Sequence, residues 1–168
     1  MNKLFTIAIA LILVGAVSAF ALFPYFTEST IDEAIPTDTI IQSEMKEEMM
    51  MEDTMMEDTM PMSFVGTFVG VGDGIHDAQG NAYTIPLEDG SNVLRLENFK
   101  STNGPDLYVY LSTDDNASEF INLGELKANK GNQNYEIPDT VDLNEYHKVL
   151  IWCKAFGVLF GSAELSSQ

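Results

Sequence analysis

From Ser63 onward the chain breaks into short apolar runs separated by Gly, Asn and Asp. Each run lasts four to nine residues, and most are rich in Val, Ile, Leu, Phe and Tyr. That texture predicts strands over Phe64–Val69, Ala82–Ile85, Val93–Phe99, Leu107–Leu111, Glu119–Leu123, Asn134–Ile137, Lys148–Phe156 and Val158–Leu165. Turn-forming clusters separate most of them: Gly72-Asp73-Gly74, Gly80-Asn81, Asp89-Gly90, Asn103-Gly104-Pro105, Asp114-Asp115-Asn116 and Lys130-Gly131-Asn132. No amphipathic helical pattern runs through this half. Several short strands so punctuated predict one all-β domain over residues 63–168, a β-sandwich or barrel-like fold.

The beginning of the chain has the opposite texture. Leu4 to Phe23 is twenty residues without a charge, with Lys3 before it and acids after it. As a helix it spans about 30 Å, the thickness of a bilayer core. The positive-inside rule then puts the N-terminus in the cytoplasm and the rest of the chain outside. This is a transmembrane anchor over residues 1–23. The alternative is a signal peptide cleaved after Ala19 or Ala21, which yields a secreted protein.

Between anchor and domain, residues 24–62 carry Pro24, Pro36 and Pro61, scattered Thr and dense acid. Such composition buries too little apolar surface to offset its ordering entropy, so the segment reads as a disordered tether. As a 39-residue coil it would reach about 35 Å. A tandem repeat lies within it, Met51-Glu52-Asp53-Thr54-Met55 followed by Met56-Glu57-Asp58-Thr59-Met60. Eight of the nine methionines fall between Met45 and Met62, so the clustering calls for a reason. Thioethers at Met51, Met55, Met56, Met60 and Met62 are candidate ligands for a soft metal such as Cu(I). A sacrificial oxidant trap and a plain solvated spacer are the rival readings.

Charge narrows the list of partners. Net charge is -18, of which residues 28–62 contribute -10 and residues 63–168 contribute -9. Both parts are acidic, which argues against nucleic acid as a partner. It also disfavours electrostatic docking on an anionic lipid surface.

One cysteine is present, Cys153, so an exported form of the chain closes no internal disulfide. Strand alternation places Val149, Ile151, Cys153 and Ala155 on one face, and Leu150, Trp152, Lys154 and Phe156 on the other. Lys154 points away from the thiol and does little to activate it, and thiols buried among apolar side chains are inert. Packing is therefore one role for Cys153. A second is suggested by the two greasy faces of this strand, which suit a pocket for a flat apolar cofactor such as haem. Copper is a weaker fit. His76, His147 and Cys153 are the right residue types, but no His or Met follows Cys153. His147 lies six residues from Cys153, about 20 Å along a strand, too far to act as its base. The sequence leaves open whether Cys153 packs, reacts or ligates.

Four stretches of the domain together resemble the DM-thirteen, or electron-transfer DM, family found in Skeletor-like proteins. They are Gly66-Thr67-Phe68 with His76 and Gly80; Leu94-Arg95-Leu96-Glu97-Asn98-Phe99; Asn103-Gly104-Pro105-Asp106-Leu107-Tyr108-Val109-Tyr110-Leu111; and Val149-Leu150-Ile151-Trp152-Cys153-Lys154-Ala155-Phe156 with Phe160-Gly161. The resemblance implies a β-rich extracytoplasmic module with a redox role. It aligns the family's cysteine with Cys153, as a naked redox thiol or as ligand of a prosthetic group such as haem. His76, Trp152 and Asp106 are the accompanying candidates, Asp106 chiefly as a turn former. The family's domain often accompanies cytochrome-like DOMON domains, and none lies in this chain. The resemblance therefore implies a separate redox partner protein. A surface binding or adhesion module with Cys153 as packing is the alternative, and copper handling through the methionines a second.

Overall fold

The computed structural model of the protein describes residues 28–37 and 63–167. The expected anchor over 4–23 and the methionine repeat lie outside the described residues. Ten strands and no helix are present among the described residues: β1 (Thr30–Asp32), β2 (Phe64–Gly70), β3 (Ala78–Pro86), β4 (Asn92–Ser101), β5 (Leu107–Ser112), β6 (Phe120–Glu125), β7 (Lys130–Ile137), β8 (Lys148–Cys153), β9 (Val158–Glu164) and β10 (Ser166–Ser167). Each of the eight strands read from the sequence has its counterpart in β2 to β9. The alternation of apolar and polar residues survives because it is what lets each strand bury one face.

The strands form a single sheet in the order β1-β7-β4-β3-β2-β9-β8-β5-β6, with β10 also on β2. The sheet curls into an open half-barrel. β2 makes the bend: its first half, Val65–Thr67, pairs with β3, and its second half, Phe68–Gly70, pairs with β9. Every pairing is antiparallel except β1 on β7. The curl closes Leu94, Leu96, Phe99, Val109, Leu111, Val149, Ile151 and Phe160 into one core. Full burial of side chains of this size stabilises by about 1.5–3 kcal/mol each.

The structure differs from the tether reading over residues 28–37. Here the chain lies along the free edge of β7, and β1 pairs with it in parallel from Thr30↔Lys130 to Asp32↔Asn132. The Glu33 carboxylate accepts two hydrogen bonds from Lys127 Nζ, at 2.8 and 2.9 Å, and one from the Asn134 backbone N–H at 2.6 Å. Asn134 Nδ2 donates to the Ala34 carbonyl, and Arg95 Nη1 donates to the Glu33 carbonyl. The segment thereby covers Arg95, which is only 3% exposed. Gly131 makes this approach feasible: its φ is +104°, and a Cβ there would collide with the Ile31 carbonyl. Sequence reasoning missed the strand because polar and backbone groups hold it, and such contacts leave no apolar periodicity. In the sequence only residues 24–27 stand between the apolar segment and Glu28, the first described residue.

Candidate functional site

Cys153 ends β8, opposite Leu107 at the start of β5. Its side chain points into the core and is 1% exposed. The thiol donates a hydrogen bond to the Pro105 carbonyl at 2.9 Å. Pro105 belongs to the Asn103–Asp106 loop, which folds over the end of β8. Two further backbone bonds fasten this corner. Lys154 N–H donates to the Asp106 carbonyl at 3.0 Å, and Gly157 N–H donates to the Cys153 carbonyl at 2.8 Å. Asp106 has a φ of 60°, in the left-handed region that Asp tolerates better than most residues. It contributes to the turn through its backbone, as the acceptor of Lys154 N–H and by its left-handed φ.

Gly104 seats the loop. A Cβ at this position would lie 2.5 Å from Phe160 Cζ and 3.2 Å from Leu107 Cδ2. Phe160 in turn meets the His76 ring edge-on, with centroids 4.5 Å apart. His76 Nδ1 lies 2.6 Å from Asp73 Oδ2. Asp73 Oδ1 accepts the backbone N–H groups of Ile75 and His76 at 2.8 and 2.7 Å. These backbone bonds, the His76 one foremost, and the His76 ring hold the Asp73 carboxyl down at about 2. The tertiary fold thus brings Cys153 and His76 to the same end of the half-barrel. A series of contacts links them: Pro105 holds the thiol, Gly104 of the same loop seats on Phe160, and Phe160 meets His76.

Trp152 goes elsewhere. It pairs with Tyr108 across β8 and β5, and it stands outside the core cluster that holds Cys153. Its neighbours form an aromatic row on the outer face. Tyr108 and Tyr110 have ring centroids 6.1 Å apart, Tyr110 stacks on Phe120 at 4.2 Å, and Lys154 Nζ sits 4.8 Å over Tyr108. His147 is also remote in role, its Nδ1 lying 3.0 Å from the Glu145 carbonyl. Met51, Met55, Met56, Met60 and Met62 lie outside the described residues. Among the described residues no group of three or more His, Cys, Asp or Glu is placed to hold a metal ion.

A cleft of about 660 Å³ opens above the thiol corner. The Asn103–Leu107 loop, Ser29, Asn129 and Ala155 form much of its wall. The signals that could have located this site are the Asn103-Gly104-Pro105-Asp106 run and Phe160. The Ser29 contribution had no signal in the sequence.

The family model described as electron transfer DM13 matches residues 68–165, more than half of the chain. The protein belongs to the electron transfer DM13 family. The match covers Cys153, His76, Asp106 and Phe160, and begins after the docked N-terminal strand. No curated protein and no solved structure matches the chain.

The DM13 corner can be tested against the haem that the resemblance suggested. Cys153 contributes no surface to the cleft, and its S–H is held by Pro105, which does line it. The cleft wall includes the polar groups of Ser29, Asn103, Asp106, Glu125 and Asn129. A haem plane needs an apolar slot with its iron within bonding reach of the thiolate. This arrangement does not fit thiolate ligation of haem.

Proposed function

We propose that the protein is a membrane-anchored, outward-facing electron-transfer domain that exchanges electrons with a separate redox protein through the end carrying Cys153 and His76. Membership of the electron transfer DM13 family supports the redox role. The carrying observation is the placement of the thiol: it is buried, yet joined by one hydrogen bond to Pro105 in a surface loop. In this reading Cys153 acts without a bound group. On oxidation its sulfur loses one electron to a one-electron redox partner and its proton to solvent, and re-reduction reverses both. Residues 4–23 supply the anchor, with the N-terminus in the cytoplasm. Among the described residues no helix is long and apolar enough to cross a membrane.

A second reading has an observation of its own. Cys153 belongs to the continuous apolar core, as a packing residue does. On that reading the domain is a cell-surface binding module and the thiol is inert. The two separate on an electrode. Full-length protein in a supported bilayer should show a reversible wave that disappears in Cys153→Ser, with circular dichroism unchanged. A wave that persists in Cys153→Ser removes Cys153 as the carrier. Absence of any wave in the wild type favours the binding module.

A further inference from the structure

The docked strand β1 fixes which end of the half-barrel the N-terminal segment leaves from. Ser29 N–H donates to Asn129 Oδ1 at 2.6 Å, the Asn129 carbonyl accepts Ser101 N–H at 2.9 Å, and Thr102 N–H donates to the Asp77 carbonyl at 3.0 Å. Ser29 also lines the cleft formed by the Asn103–Leu107 loop and Ala155. The chain before Ser29 therefore departs from the Cys153 end. The β3–β4 turn, Leu87–Ser91, is at the opposite end, about 30 Å away along the ten residues of β4.

The same end is unusually apolar for a surface. Six large hydrophobic side chains are exposed among the described residues, and four of them lie here: Val69, Val71, Ile75 and Phe156. Ile75 and Phe156 are each 71% exposed. Val69 and Val71 flank Gly70, which pairs with Gly161, and Phe156 sits in the turn between β8 and β9. Isolated exposed hydrophobics need no explanation, but their concentration at one end does.

On the anchor reading of residues 4–23, the length of chain before Glu28 bears on what covers them. Only Pro24, Tyr25, Phe26 and Thr27 separate the apolar segment ending at Phe23 from Glu28. Five residue steps span at most about 18 Å. The interfacial layer takes up about 5–8 Å of that. Glu28 then stays within roughly 10 Å of the headgroup surface, while the far end of the domain stands about 30 Å further out. Charge at this end is mixed: Glu28, Asp73, Asp77, Asp106 and Glu125 are accompanied by Lys100, Lys130 and Lys154. A face of both signs suits zwitterionic lipid better than anionic lipid.

We infer that the Cys153 end of the domain rests on the outer lipid surface, with Ile75 and Phe156 inserted among zwitterionic headgroups, so that the thiol corner faces the membrane. This rests on the anchor reading of residues 4–23 and is independent of the redox role of Cys153. A redox partner would then meet the domain at the membrane plane.

The test uses the full chain in phosphatidylcholine vesicles brominated near the top of the acyl chains. Phe156→Trp and Glu88→Trp place indoles at the two ends, both at exposed positions that tolerate the change, with the wild type and its Trp152 as baseline. The added emission of F156W should fall at least twofold more than that of E88W. Equal quenching at both ends, or none at either, overturns the inference. Recovery of a soluble mature chain beginning after Ala19 or Ala21 overturns it too, and leaves the electrode experiment on Cys153 untouched.

Discussion

The Cys153 thiol and the Pro105 carbonyl lie 2.9 Å apart, so the single sulfur of the domain is capped by a loop peptide. A thiol in this setting should resist maleimide in the native protein and react fully once guanidinium unfolds it. Labelling of the folded form at the rate of a free thiol would show that the loop opens readily. Cys153→Ser keeps a donor for Pro105 and should change stability by less than about 1.5 kcal/mol, while Cys153→Val leaves that carbonyl without its partner and should cost about 1–3 kcal/mol. Urea denaturation of both variants compares them.

Gly104 is the hinge of the same corner. Gly104→Ala drives a methyl into Phe160 and Leu107. Overpacking of this kind costs about 1–3 kcal/mol. A thermal melt should show the loss, and maleimide should reach Cys153 faster because the loop can no longer seat. An unchanged melting temperature would mean that Phe160 gives way at no cost.

Asp73 provides a pH dependence. Its folded-state carboxyl titrates at about 2, against an ordinary value of 3.8. A depressed carboxyl contributes stability that is complete above the unfolded value and is lost as pH falls through the folded one. The 71–77 loop should therefore keep its His76–Phe160 contact down to about pH 4 and lose it between about 4 and 2. The His76 ring protons, shifted by Phe160, report this by NMR. Asp73→Asn should abolish the transition in that window.

The docked N-terminal strand depends on Glu33. Burial works against its charge, but the Lys127 and Asn134 hydrogen bonds and the charges of Lys127 and Arg95 hold its carboxyl below the ordinary 4.5. The docking contribution should thus be complete above pH 4.5 and weaken below it. Glu33→Ala should cost about 1–2 kcal/mol, since it also leaves the Asn134 N–H without its partner. Hydrogen exchange at Lys130, Asn132 and Asn134 should accelerate in the variant. Unchanged exchange would mean that β1 pairing does not need this carboxylate.

Tyr135 predicts the behaviour at the alkaline limit. Burial raises its phenol well above 10, and the hydroxyl bridges Gln133 Oε1 at 2.8 Å and the Lys127 N–H at 3.1 Å. Because the folded value lies above the unfolded one, its contribution is complete below about pH 10 and is lost as pH rises beyond it. Tyr135→Phe should cost about 1–2 kcal/mol at neutral pH and reduce the loss of stability above pH 10. Guanidinium titrations at pH 7 and 11 check both parts.

The sequence by itself determined the all-β domain, its eight principal strands and the place of Cys153 on an apolar strand face, while the fold decided that this face is core. The first three features follow from local alternation and turn chemistry, which a strand expresses wherever it pairs. It also carried the family likeness, through runs such as Asn103-Gly104-Pro105-Asp106. Tertiary structure alone decided the rest. The bend at β2 put the His76 loop beside Phe160, and the seating of Gly104 on Phe160 set Pro105 over the thiol. Strand β1 was invisible because its attachment is made of backbone, Glu33, Asn132 and Asn134 groups that only meet once β7 and β4 are side by side. Contacts between residues about a hundred positions apart, such as Glu33 with Asn134, leave no periodic trace in either segment, so only the folded chain records them.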